Sequence, residues 1–172
     1  MSDPRTLALE VLLAVENRDA YANLELARQT RGLPPRDAAL LTELAAGTLR
    51  MQGAYDAVID ALAKGRLDPP VRVALRLGVH QVLAMRVPTH AAVSTTVSAV
   101  KQVIGHKPAG LVNAVLRRVS ERDFDAWMDA TGASLAVRAS HPQWVVDELA
   151  RARVGDPGPV LAADNVAPRV TL

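Results

Sequence analysis

The chain has 172 residues, a formal net charge of +2, no cysteine and five aromatic residues among its Trp, Tyr and Phe. That length suits one domain burying about 70 % of its unfolded surface. The lack of cysteine excludes disulfides, thiolate metal sites and a cysteine nucleophile, and the scarcity of aromatics leaves an aliphatic core that favours packed helices, an all-α fold, over a sheet sandwich.

Charge is unevenly spread. Lys64 to Arg118 carries nine Lys or Arg against one carboxylate, Asp68, while residues 1–63 carry six basic and nine acidic side chains and residues 119–172 carry five and eight. A basic middle between acidic flanks suggests a polyanion partner for one surface. Acidic residues stand where the basic region of a secretory signal should be, so a cytoplasmic location is expected. The most apolar run, Val71 to Val87, holds Arg72, Arg76, His80 and Arg86. Each central Arg would cost about 2.5–3.5 kcal/mol in a membrane, so this run reads as a buried helix and no membrane contact is expected.

In chain order, Asp3 and Pro4 form a cap and first turn, and Leu7, Ala8, Val11, Leu12 and Val15 recur at helical spacing to about Asn17. A second helix covers AYANLELARQTRG and a third runs from Pro35 to about Arg50, with Leu40, Leu41, Leu44, Ala45 and Leu49 inward. Gly53 is expected to separate it from a fourth, Ala54 to Ala63. Asp68 and Pro69 open a helix to Arg86 that should be central, with Arg72, Arg76 and His80 as an outward basic edge. Thr89 is expected to cap the next, which carries Val93, Val97, Val100 and Ile104 inward and stops at Gly105. Pro108 begins another, burying Leu111, Val112, Val115, Leu116 and Val119. Past residue 122 the pieces shorten, and the closing PRVTL is the first strand-like pattern. The organisation expected is 1–122 a helical domain with a basic surface, 123–155 linker helices, and 156–172 the start of a second domain.

Candidate binding residues follow from the charge. Lys101, Arg117, Arg118 and Arg122 form one basic group for phosphates; the alternative is a solvated face. His106 and Lys107 precede a helix whose free N–H groups could hold a phosphate; the alternative is a solvated basic turn. Arg72, Arg76 and His80 could align on phosphates, or Arg76 could pair with Glu43. Arg5 and Arg36 complete the set. Gly105 and Gly110 have P-loop spacing, but Leu111 and Val112 replace its Lys and Ser/Thr. His90 lacks a second ligand at metal spacing, Asp123, Asp125 and Asp129 lack the calcium-loop glycine, and Ser140, His141 and Pro142 read as a helix cap. Trp127 and Trp144 are expected to be packing residues.

The segments RDAYANLEL (18–26), DAALLTELAAGTLR (37–50), LDPPVRVALRLGVHQVLAMRVPTHAAVSTTV (67–97), GLVNAVLRRVSER (110–122), SHPQWVV (140–146) and LAADNVAPRVTL (161–172) resemble, in order, the N-terminal part of the RsmB (Fmu/Sun) family of ribosomal RNA cytosine-5 methyltransferases. Thr89 and Thr95 depart from that family's pattern. Residues 1–122 also resemble the helical antitermination factor NusB. The resemblance implies a NusB-like helical bundle that positions small-subunit ribosomal RNA for the protein's own C-terminal catalytic domain. It implies S-adenosylmethionine as a cofactor of the full-length family, with no cofactor and no methyl transfer expected of this chain alone, since the family's cysteine nucleophile and methyl-donor loop would lie beyond residue 172. The alternatives are a stand-alone NusB-like antitermination factor with a ribosomal protein partner, against which SHPQW and PRVTL argue, and a packing domain that only stabilises a catalytic half.

Overall fold

Asp3 begins the fold as its type dictates, its Oδ1 accepting the backbone N–H of Arg5 at 2.9 Å and satisfying one of the free donors of the first turn. The helix it opens, α1 (Pro4–Arg18), is followed by α2 (Ala22–Gln29), α3 (Pro35–Arg50), α4 (Gln52–Leu62), α5 (Pro69–Leu83), α6 (Thr89–Val103) and α7 (Ala109–Val119). Four shorter helices complete the chain: α8 (Phe124–Ala130), α9 (Leu135–Arg138), α10 (Gln143–Arg151) and α11 (Gly158–Asp164). The computed structural model describes residues 3–18, 20–152 and 155–167, and all regular structure among them is helical. The strand-like PRVTL lies outside the described residues.

Helix α5 is the centre, packed against α1, α3, α4, α6 and α7. Its apolar positions occupy nearly the whole circumference, so Val73, Ala74, Leu75, Leu77 and Val79 are all buried. Each fully buried Leu of this kind contributes about 1.5–3 kcal/mol. Close approach requires Gly78: a Cβ there would lie 2.4 Å from a methyl carbon of Leu116, so α7 seats a leucine directly on the α5 backbone. One buried polar knot ties three helices together. Gln81 of α5 donates to Thr96 of α6 at 2.9 Å and accepts from Arg5 Nε of α1 at 3.0 Å, leaving no orphaned amide in the interior.

Several boundaries differ from the periodicity reading. Gly53 lies inside α4 instead of dividing it from α3; Met51 makes the break, and the N–H of Gly53 donates to Ser140 Oγ at 2.9 Å. Helix α5 stops at Leu83, three residues early, and the restriction that Pro88 places on its predecessor falls on Val87, beyond that stop. Pro88 occupies the cap position of α6, so Thr89 is already helical and caps nothing. Likewise Pro108 precedes α7 and Pro142 precedes α10. Gly105, at φ 121, makes the left-handed stop expected of it. The apolar core runs past residue 122: Trp127 and Met128 of α8 are buried in the same cluster as α5 and α7, and Trp127 Nε1 donates to the Val119 carbonyl at 2.8 Å.

Candidate nucleic-acid interface

Two sets of cations occupy two sides of the bundle. The first is neutralised internally. Asp56 and Asp60, four apart on α4, meet Arg72 and Arg76, four apart on α5, so each row presents one face to the other. Arg76 forks onto Asp56, with Nε and Nη2 each 2.8 Å from a carboxylate oxygen, and reaches Glu16 of α1 at 3.1 Å. Arg72 donates to Asp60 at 2.7 Å and Asp56 at 3.2 Å. The expected Arg76–Glu43 pair is therefore replaced by Asp56 and Glu16. His80, one turn on, does not reach outward: it is 3 % exposed and packed under α3. Glu43 faces this ring, its Oε1 3.5 Å from Nε2.

Burial, aided by the positive charge of Arg50, pushes the His80 imidazole down to about 4, so the ring is neutral near pH 7. Burial also raises the Tyr55 phenol, which keeps its proton and donates to His80 Nδ1 at 2.8 Å. The proton on the ring then sits at Nε2, on the Glu43 side. Gly47 makes room for it, since a Cβ at that position would lie 2.4 Å from the imidazole.

The second set is unspent. Of the nine Lys or Arg between residues 64 and 118, only Arg72 and Arg76 form ion pairs among the described residues. The other seven, Lys64, Arg66, Arg86, Lys101, Lys107, Arg117 and Arg118, pair with no carboxylate there. Among the described residues the guanidinium of Arg117 hydrogen-bonds only to Asn113, at 3.4 Å, and that of Arg118 only to the Leu62 carbonyl, at 3.5 Å.

Helices α6 and α7 run antiparallel. His90 and Ser94 near the start of α6 line a groove of about 580 Å³ with Asn113, Arg117 and Ser120 near the end of α7. At the opposite end Ile104 faces Lys107 and Leu111 across a second recess. Lys101 follows Ser94 by two turns on α6, and Asn113 precedes Arg117 by one on α7, so these side chains border one seam. Lys101, His106, Lys107, Arg117 and Arg118 are all exposed.

The remaining candidates fall elsewhere. Arg5 is tied to Gln81, with Asp3 3.7 Å away. Arg36 is exposed at the start of α3, a helix that packs on α1, α2 and α5. The guanidinium of Arg122 lies over the Trp127 ring, 5.0 Å from its centroid. Asp125 and Asp129 both pair with Arg138. Ser140, at φ 55, spends its hydroxyl on Gly53, and His141 Nδ1 donates to the Ala139 carbonyl at 2.7 Å. Trp144 is not a packing residue: it is 67 % exposed on α10, a helix with no buried residue. Leu111, expected inside, is 45 % exposed. It stands at the edge of the apolar face of α7, beside exposed Ala114 and Arg118, while Val115 on its other side is buried.

A methyl-donor site of the usual kind needs a strand feeding a glycine loop. Among the described residues no strand exists, and Gly105 and Gly110 flank the α6–α7 turn with Leu111 and Val112 behind them. These residues do not fit S-adenosylmethionine. No helix among the described residues is long and apolar enough to cross a membrane.

Comparison with known proteins agrees with the bundle. Residues 2–121 match the NusB family. The chain belongs to the NusB family. Beyond this NusB region, similarity continues into the short helices. The chain is 43 % identical to a Mycobacterium tuberculosis (strain H37Rv) protein that bears the name methyltransferase without a stated substrate, across 99 % of this chain and 41 % of that protein. It is 32 % identical to ribosomal RNA small subunit methyltransferase B of Pseudomonas syringae pv. tomato, over 99 % of this chain and 38 % of that protein. The Bacillus subtilis protein named a probable ribosomal RNA small subunit methyltransferase B is 36 % identical over 86 % of this chain and 35 % of its own length. The NusB-family chain thus spans about two fifths of the length of these curated relatives.

Proposed function

We propose that this chain is the RNA-binding N-terminal part of an S-adenosylmethionine-dependent ribosomal RNA cytosine-5 methyltransferase, holding small-subunit RNA for a catalytic domain in the remainder of the full-length protein. The observation that carries the reading is the set of seven unpaired cations between residues 64 and 118, several gathered along the α6–α7 seam while nearby arginines are neutralised. Support also comes from relatives named for small-subunit ribosomal RNA methylation, which match across nearly the whole chain. Methyl transfer itself belongs to residues this chain does not carry: attack on the cytosine ring requires a nucleophile such as a thiolate, and the chain has no cysteine.

Binding should be electrostatic and strongly salt dependent. With Arg66, Lys101, Lys107, Arg117 and Arg118 each on one phosphate of a single strand, log K is expected to fall against log salt with a slope of about −3.5. Titration of small-subunit ribosomal RNA fragments at several salt concentrations checks this, and a slope near zero rejects it. Helices α8 and α9 pack on α4. They extend the NusB bundle beyond residue 121, which favours this reading over a free-standing antitermination factor.

A further inference from the structure

Between the loop carrying Arg66 to Asp68 and the α6–α7 turn lies a recess of about 430 Å³. Its floor is apolar, built from Leu67, Val71, Ile104 and Leu111, and its rim carries Arg66, Lys107 and Asp68. Three features of this recess require an explanation together. Leu111 is 45 % exposed on a helix whose Val112, Val115, Leu116 and Val119 are buried. Arg66 and Lys107 form no ion pair among the described residues, though Asp68 lines the same recess. Asp68 stands at the cap position of α5 yet makes no capping hydrogen bond, so its acceptor oxygens are free.

Phosphate alone would use the two cations and leave the apolar floor in contact with water. An aliphatic side chain of a partner would cover the floor and leave the cations unused. An unstacked nucleotide satisfies both: its ring lies on the aliphatic wall, and the phosphates on its two sides meet Arg66 and Lys107. The recess opens at the end of the α6–α7 seam opposite Arg117, so a strand tracking that seam arrives at it.

We propose that this recess takes one unpaired nucleobase of the bound RNA, with Asp68 accepting from an exocyclic amine. This rests on the RNA-binding reading above and deepens it: the domain prefers single-stranded RNA, and prefers cytosine to uracil at the captured position. Cytosine presents an amino donor where uracil presents a carbonyl oxygen, which the carboxylate repels.

The test uses the purified 172-residue chain and fluorescently labelled oligo(C), oligo(U) and a duplex of matched length. Leu111→Gln removes an apolar wall without changing charge at an exposed position. It is expected to weaken oligo(C) binding about 4- to 15-fold, the value of one or two methylene groups the base no longer covers, with duplex affinity and salt slope unchanged. Asp68→Asn is expected to abolish the preference for oligo(C) over oligo(U). Wild-type affinity in L111Q, or equal affinity for single strand and duplex in the parent chain, overturns the recess while leaving salt-dependent RNA binding intact. Absence of any salt-dependent binding overturns both readings. Methyl NMR of the unaltered chain gives an independent readout should a variant fail to fold. Ring-current shifts at Ile104 and Leu111 on adding oligo(C) are expected, and shifts confined to the Arg117 end of the seam overturn the proposal.

Discussion

The α4–α5 face and the α6–α7 face are both rich in arginine or lysine, yet their cations are in opposite states. On the first, Arg76 is 14 % exposed and held by two carboxylates from α4 and α1. On the second, Lys101 and Arg117 are exposed, as is Arg118 on the adjoining side of α7 that meets the end of α4, and none of the three has an acidic neighbour in ion-pair range among the described residues. The difference lies in what stands opposite. Helix α4 supplies Asp56 and Asp60 in the register of Arg72 and Arg76, whereas neither α6 nor α7 contains an acidic residue. A cation count alone therefore overstates a binding surface; what matters is the number left after the fold's own carboxylates are matched.

The sharpest way to break this contrast is to reverse the unpaired set. Lys101→Glu, Arg117→Glu and Arg118→Glu together should lower RNA affinity about a thousandfold at low salt, roughly one decade per lost charged contact, and make the salt slope shallower by about 2. The melting temperature should stay close to that of the parent, which calorimetry checks; unchanged RNA affinity would instead favour a purely structural role.

The paired set should respond the other way. Arg76→Ala strips Asp56 of its bidentate partner inside the bundle and is expected to cost about 3 kcal/mol in urea denaturation, the lower end for breaking a mostly buried pair. RNA affinity measured well below the melting temperature should not change.

A smaller effect comes from His80. Its folded value of about 4 lies below the ordinary 6.5, so the unfolded chain takes up the proton first. The stability from the neutral buried ring is fully present above about pH 6.5 and is lost as pH falls toward 4, by about 2–3 kcal/mol. His80→Gln, which keeps an acceptor for Tyr55, should remove that part of the pH dependence, and the difference between the two denaturation series isolates it. The smallest effect is expected from Arg122→Ala. Losing the guanidinium over Trp127 should cost about 0.5–1 kcal/mol, with less than a threefold change in RNA affinity if its role is packing; a larger loss of affinity would place Arg122 with the unpaired set.

Much of the fold was legible because an aliphatic chain leaves a simple pattern. Val73, Leu75, Leu77 and Val79 with almost no polar interruption mark α5 as central, and Gly105 marks the end of α6. Helix ends were less legible, since a proline outside a helix and one in its first turn look alike in sequence; Pro88, Pro108 and Pro142 all stand just before their helices. The partner of Arg76 was hidden for a different reason. Glu43 and Asp56 are both plausible by type, and only the packing of α4 on α5 selects the second. A matching clue existed, the four-residue spacing of Asp56 and Asp60 against that of Arg72 and Arg76. The exposed Leu111 was misjudged because periodicity assigns a face to a helix but does not give the width of the neighbour that covers it.

The contact between Gly78 and Leu116 separates these two faces. With no side chain between them, α5 cannot rotate or slide against α7 without driving its backbone into the leucine methyls. Arg76 lies two residues before Gly78 on α5, and Arg117 follows Leu116 on α7. A single close contact therefore indexes both rows of charge, as a key fixes two gears on one shaft: any substitution that widens the α5–α7 spacing should displace the neutralised row and the free row together, coupling bundle stability to the shape of the surface offered to RNA.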